Sequence, residues 1–530
     1  MVEVPAHGGS ITEGVIGTPR FINPLLALSD TDRDLTQLIY SGLMRATPGG
    51  DLILDLAKSY EISADGLTYT FVLKDDLTFH DGESISSDDV VFTVNRVTDT
   101  SLRSVRRASW EGVSVTKLDE KTVQFTLLQP YAPFMENATL GILPKHLWED
   151  LSSEQFGFSH LNTEPVGSGP YKIRDIKKSS SGIPEYYDLV PFSKFALGKP
   201  YVSDIRILFY ANSEETLSAF ENNEVEAIST VSPSRVREFE DEGGRVMTYI
   251  LPRVFGVFFN QSQSPIFTEA AVREALYHAI DREKIVEAVL SGFGTPLYGP
   301  LPPGSLGFTD NLENKMILRD SEATSSQERA GEILEKAKWK KNEKTGVREK
   351  TVNKKTQELV FSISTSEAEE LKQAANILKD TWENIGAKVE VKIFKAGDLN
   401  QNVIRPRKYD ALFFGEIIGR ESDPFAFWHS SQRNDPGLNI ALYANISVDK
   451  LLEQGRVLSL TEDREKVYAQ FEKEIKKDTP FVPIYSPDFI YLVPSNLYGV
   501  TAGTITTPSE RFLDVYLWHT EVGKVWRVFQ

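Results

Sequence analysis

The chain contains no cysteine, which excludes thiol nucleophiles, structural disulfides and cysteine-ligated zinc. Histidine is scarce. His7, His80, His146, His160, His278, His429 and His519 are scattered without the spacing of metal ligands, so no metal site is expected. There is no GxxxxGK[ST] loop to cradle a nucleotide, no GxSxG elbow and no HExxH helix. Gly167-Ser168-Gly169-Pro170 is a different pattern, because its proline would spoil a helix directly after a nucleophile. No apolar run approaches the ~20 residues that cross a bilayer.

Positive charge is in deficit. Against 76 acidic residues stand 58 basic ones, for a formal net charge of -18. A nucleic-acid partner needs a basic face, and docking on anionic lipid needs a polybasic patch, so both are disfavoured. The surplus acid reads as solubility. Met1 to Gly17 lacks a basic region followed by an apolar stretch. The expectation is either a cytosolic protein or one from which an export signal has been removed. A lipid-anchored precursor would carry its anchoring cysteine in such a removed piece.

The 530 residues exceed one ordinary core, so two or three lobes are expected. Helix and strand patterns alternate, which is the mark of an α/β chain. Residues 68–73 and 122–127 alternate as strands, with Val123, Phe125 and Leu127 on one face. Ser86 or Ser87 precedes two aspartates and predicts a helix start. Thr268 is expected to cap a helix facing inward through Val272, Ala275, Leu276, Ala279 and Ile280. Asp281 is expected to cap the next helix, which stops at Gly292. Leu371, Ala374, Leu378 and Trp382 mark a third helix, and further helices are predicted over about 448–458 and 463–477. The basic stretch 338–355 reads as a solvated surface hairpin. Asp30, Asp32 and Asp34 alternate like a calcium loop. The sixth and twelfth positions hold Leu35 and Ser41 instead of glycine and glutamate, so a capping segment is expected.

Several segments, in order, carry a resemblance. They are Phe21-Ile22-Asn23-Pro24-Leu25, Phe79-His80-Asp81-Gly82 with Asp89-Val90 beyond it, and Val166-Gly167-Ser168-Gly169-Pro170-Tyr171. Phe259-Asn260, Arg273-Glu274-Ala275-Leu276, Tyr409-Asp410, Asp423-Pro424 and Asp478-Thr479-Pro480 follow. Together they resemble the family 5 extracytoplasmic solute-binding proteins, the peptide, nickel and oligosaccharide receptors of ABC importers. Read from the residues alone, Asp81-Gly82 is a turn in which glycine supplies a positive φ, and Gly167 and Gly169 read the same way. Arg273, on an amphipathic helix, reads as the partner of a nearby acid.

The resemblance implies an α/β fold of type II periplasmic-binding-protein kind, with two lobes, a hinge and an inserted domain. Lobe I would comprise 1–50, 164–258 and 487–530, the inserted domain 51–163, and lobe II 259–486. It implies a monomeric, non-enzymatic receptor without cofactor, at the outer face of the cell membrane or in the periplasm. The receptor would close on a peptide in the interlobe cleft and deliver it to a membrane permease. An oligosaccharide or other amine-free ligand is the alternative. A sensor or scaffold, and a carboxylate-dependent hydrolase, are the readings of other classes.

In peptide-binding relatives an aspartate after a Gly-Trp pair, before an acid-proline step, binds the peptide ammonium. Here that segment is Phe413-Phe414-Gly415-Glu416-Ile417-Ile418-Gly419-Arg420-Glu421-Ser422-Asp423-Pro424. Arg420 takes the aspartate's place and Glu416 the tryptophan's. An arginine prefers carboxylate, phosphate or sugar oxygens. So either Glu416 or Glu421 takes over the ammonium, or the ligand lacks a free amine, or the register is one residue out and Arg420 faces solvent. By the same resemblance Phe21, Asn23, Tyr40, Trp110, Phe414, Gly415, Trp428 and Tyr485 are candidate ligand contacts. Aromatics suit such a site because they stack at low entropic cost.

Overall fold

Strands form at Thr68–Leu73 and Thr122–Leu127, as the period-two alternation predicts, and they pair antiparallel, Phe71 opposite Val123. These elements come from a computed structural model, which describes residues 1–229, 231–241, 245–309, 326–420, 422–458 and 460–525. Contacts divide the chain into two compact units, residues 1–249 with 489–530, and residues 250–488.

In the first unit Gly8–Ile16 runs parallel to Val202–Tyr210, which continues antiparallel to Pro184–Pro191 and then Tyr171–Lys178. The chain ends meet where Val2–Ala6 pairs with Glu521–Val525. A separate antiparallel sheet, in the order Ala57–Ile62, Thr68–Leu73, Thr122–Leu127, Val113–Lys117, lies within the stretch expected as an inserted domain. The helix Ser87–Thr98 starts on Ser86, whose hydroxyl caps the first turn while the Asp89 carboxylate returns to the Ser86 N–H at 2.9 Å.

In the second unit the sheet order is Lys388–Phe394, Val360–Ser366, Ala411–Ile417, Arg253–Phe259 and then Phe481–Val493 through its leading residues. The sheet is buried on both faces. Val257 and Phe259 face the helices Ala270–His278, Arg282–Leu290 and Glu369–Asn384, whereas Val254 and Phe258 face the core beneath Ile446–Val457 and Thr461–Asp478. Two buried faces explain the nearly continuous apolar run of Arg253–Phe259. The boundary expected at 258/259 cuts this strand. The whole strand falls in the second unit, because it pairs with Ala411–Ile417 along its full length.

Three local expectations need correction. The helix Ala270–His278 starts after Glu269 without a side-chain cap, and Thr268 ends a preceding 3-10 turn, where its hydroxyl donates to the Pro265 carbonyl. Among the described residues Arg273 pairs with no acid. Its guanidinium donates to the carbonyls of Phe267, Asp478 and Thr479, tying the helix start to a chain turn. Gly82 has φ 100°, as a turn glycine should, but neither Gly167 nor Gly169 has a positive φ. Both are glycine because backbone passes too close: an added Cβ would lie 2.1 Å from the Ile39 carbonyl oxygen at Gly167, and 2.5 Å from the Ile39 carbonyl carbon at Gly169. The basic stretch forms three short antiparallel strands, Lys340–Lys341, Arg348–Val352 and Lys355–Glu358.

Candidate functional site

The first unit contains a cavity of about 310 Å³. One wall is the helix Asp30–Ile39, which presents Arg33, Thr36 and Gln37, with Tyr40 at its end. These side chains share a face because they recur at spacings of three and four. The opposite side is built from Arg106, Ser109 and Trp110, from Tyr131 to Gly141, and from Thr506 to Leu513.

Sequence-local chemistry fixes this helix. Ser29 and Asp32 form a capping box, and Asp32 also accepts the N–H groups of Arg20 at 2.7 Å and Phe21 at 2.9 Å. The aspartates that alternate like a calcium loop are thus engaged otherwise. Asp32 caps and braces a turn, and Asp34 pairs with Arg511. Arg511 is fully enclosed and also holds Glu13 at 2.6 Å, while the Tyr491 hydroxyl donates to Glu13 at 2.8 Å. Burial pushes the Glu13 and Asp34 carboxyls up, against the pull of the Arg511 charge. This network clamps the cavity's C-terminal wall to its helical wall.

Tyr40 and Trp110, both expected at the ligand, line this cavity together. Trp110 also packs on Phe125 and Phe134, with ring centroids 5.8 and 5.9 Å away. Tyr40 is almost wholly buried, and its hydroxyl meets no hydrogen-bond partner among the described residues. Phe21 is half-buried outside the cavity lining, under the Arg20 guanidinium. Asn23 is enclosed and structural: it donates to Asn162 at 3.1 Å and accepts from the Leu25 N–H. Arg33, Gln37, Arg106 and Ser109 line the cavity without having been singled out from the sequence. The cue for Arg106 was available, since Arg103, Arg106 and Arg107 crowd just before Trp110 in an otherwise acidic chain.

The second unit carries the remaining candidates. Along Ala411–Ile417, Gly415 lies against Phe255, where a Cβ would come within 2.7 Å of the ring. Phe255 stacks on Tyr485, so Tyr485 is a core residue here. Phe414 is half-buried against the core on the opposite face. Glu416, opposite Val254, is enclosed, and neither carboxyl oxygen meets a hydrogen-bond partner among the described residues. Desolvation drives its pKa well above the ordinary 4.5, and burial shuts the group away from any ammonium in this conformation. Arg420 is half-buried in the following loop. Glu421 lies outside the described residues. Asp423 pairs with Arg456 at 3.1 Å, and the Arg456 guanidinium covers the Phe425 ring. Trp428 is fully enclosed among Phe258, Phe471 and Phe481, which makes it a packing residue in this conformation.

The profile of the bacterial extracellular solute-binding proteins, family 5 (middle region), matches residues 51–437. The chain belongs to family 5. Among its relatives, the oligopeptide-binding protein AppA of Bacillus subtilis (strain 168) is 26% identical over 501 residues, which cover 93% of this chain and 89% of AppA. The substrate-binding protein CtaP of Listeria monocytogenes has a solved structure that superimposes with a TM-score of 0.81 at 27% identity. The match covers 97% of this chain and all of CtaP (100%). The structure of B. subtilis AppA in complex with a nonapeptide gives a TM-score of 0.73 at 25% identity, over 97% and 99% of the two chains. The fold is therefore that of the type II periplasmic binding proteins of family 5. Family 5 is a family of extracellular solute receptors.

Proposed function

We propose that this chain is the solute-capturing component of an ABC importer, and that its ligand is an oligopeptide. The observation that carries the reading is likeness over nearly the whole chain to AppA, an oligopeptide-binding protein whose structure holds a nonapeptide. A polar cavity bordered by Tyr40 and Trp110 is consistent with it, because aromatic walls with a few fixed polar groups suit peptide planes and side chains. The receptor works outside the cytoplasm, binds without turnover and passes its ligand to a membrane permease.

Native mass spectrometry of freshly purified protein, followed by denaturation and analysis of what is released, tests the ligand class. A series of short peptides, returned intact, is the expected result. Release of a sugar or another amine-free compound would move the ligand out of the peptide class. Cleaved peptides would replace the receptor with a hydrolase.

A further inference from the structure

The cavity of the first unit holds both signs of charge, but they are not equally occupied. Arg45 is committed to Asp55 at 2.8 Å, and Arg33 to Asp30 at 3.1 Å. The Glu510 carboxylate accepts the Thr506 N–H at 2.7 Å on one oxygen and the Thr506 hydroxyl at 2.6 Å on the other. The Arg106 guanidinium differs. Among the described residues it makes no side-chain hydrogen bond, and no acid comes within ion-pairing distance of it, although Glu136 and Glu510, which also line the cavity, attract it. Gln37, on the facing helix, also has an amide without a side-chain partner among the described residues.

An arginine beside open cavity space keeps all its donors for a ligand. Partial enclosure by the cavity walls, and then the positive Arg33, lower its pKa and favour an incoming anion. The planar fork of a guanidinium matches a carboxylate, and an amide N–H adds a further donor. A volume of about 310 Å³ is at the small end of ligand pockets, so it takes one end or one side chain of a peptide.

We infer that this cavity is a subsite for a carboxylate of the bound peptide, paired by Arg106 and supported by the Gln37 amide. The inference rests on the oligopeptide reading. The carboxylate comes either from the peptide C-terminus or from an acidic side chain, and both present the same two oxygens.

The test uses three randomised nonapeptide pools without other acidic residues: free acids, C-terminal amides, and amides carrying one fixed glutamate. Binding to the wild-type protein and to Arg106→Met, Arg106→Lys and Gln37→Met is read by titration calorimetry. Wild-type protein should prefer a carboxylate-bearing pool over the plain amides by ~10- to 100-fold. Preference for the free acids assigns the subsite to the C-terminus, and preference for the glutamate pool assigns it to a side chain. Arg106→Met should bind all pools at the plain-amide level, Arg106→Lys should recover part of the preference, and Gln37→Met should lose a smaller part. Equal binding of the three pools by wild-type protein, or a preference unchanged in Arg106→Met, overturns the subsite while leaving the peptide reading intact. No binding of any pool to wild-type protein overturns the peptide reading and the subsite with it. Arg106 has an exposed side chain with no bond to lose, and matching circular dichroism and melting temperatures verify that Arg106→Met is folded.

Discussion

The Nε2–H of His80 donates to the carbonyl oxygen of Gly169 at 3.1 Å. Its Nδ1 faces the N–H of Gly167 at 3.4 Å and therefore accepts, which places the single ring proton on Nε2. A backbone bond from the His80 N–H to the Gly167 carbonyl completes the junction. Two motifs far apart in sequence are thereby one structural device. The turn 79–82 grips the strand-entry segment 167–170, which itself lies against the end of the helix that walls the cavity.

This junction requires a neutral imidazole and should make the protein acid-sensitive. Loss of surrounding water pushes the His80 pKa down to about 4 from 6.5. Lys172 adds to the fall, while the Gly169 bond and Asp81 oppose it. Between these values the unfolded chain binds a proton that the folded one refuses. The stabilisation is complete above about 6.5 and is lost as pH falls through about 4. Up to ~2–3 kcal/mol is at stake, less whatever solvent screening removes. Melting curves from pH 7 to pH 4 should fall more steeply for wild-type protein than for His80→Gln, which keeps a donor but cannot be protonated. Parallel curves would show that His80 is not responsible.

The glycines on the two sides of this junction should respond differently to alanine. At Gly82 an added methyl meets nothing within 4 Å, and the cost is only that of a positive φ, ~1 kcal/mol. At Gly169 it would lie 2.5 and 2.7 Å from backbone atoms of Ile39 and Leu38, which cannot swing aside. Overpacking of this kind costs ~1–3 kcal/mol or more. Urea denaturation should therefore place Gly169→Ala below Gly82→Ala in stability. The reverse order would mean that the strand entry yields easily.

The contrast between these glycines also shows what the sequence could tell. Period-two strands and a capped helix were legible at Thr68–Leu73, Thr122–Leu127 and Ser87–Thr98, because their signals are local and repeat along the chain. Whether a glycine serves a turn or a close approach depends on a remote neighbour, here Ile39, and no local pattern encodes that. The same limit applies to the site. Tyr40 and Trp110 are expected at the ligand as aromatics in segments resembling a known family, and both border one cavity. Arg106 and Gln37 become notable only because one helix and one distant loop border the same space. Glu416 shows the converse: a carboxylate in a conspicuous motif proves to be shut inside a core.

Arg511 should be one of the most sensitive positions of the first unit. It lies at 2.6 to 2.9 Å from Glu13 and Asp34, with no exposure. Removing it leaves two buried carboxylates without their cation, and breaking such a pair typically costs ~3–5 kcal/mol. Arg511→Met should lower the melting temperature sharply at neutral pH. Protonation of the orphaned acids should narrow the gap to wild-type protein at pH 5. A gap of constant size would point to lost packing instead.

Glu416 should destabilise the second unit at neutral pH, and its replacement should help. A buried polar group without a partner costs ~1–3 kcal/mol, and an apolar residue of similar length avoids that cost. Because burial raises its pKa, the folded chain holds a proton that the unfolded chain releases above about 4.5. Stability contributed by the neutral carboxyl is complete below that value and is lost as pH rises toward the folded pKa. Glu416→Leu should therefore melt above wild-type protein at pH 7.5, and the advantage should shrink as pH falls to 4.5. Glu416→Gln, uncharged at every pH but still polar, should show the same pH trend with a smaller gain. Calorimetric melts of the three proteins across this range decide it: a wild-type protein that equals or exceeds Glu416→Leu at pH 7.5 would mean that the carboxyl has a stabilising partner in solution.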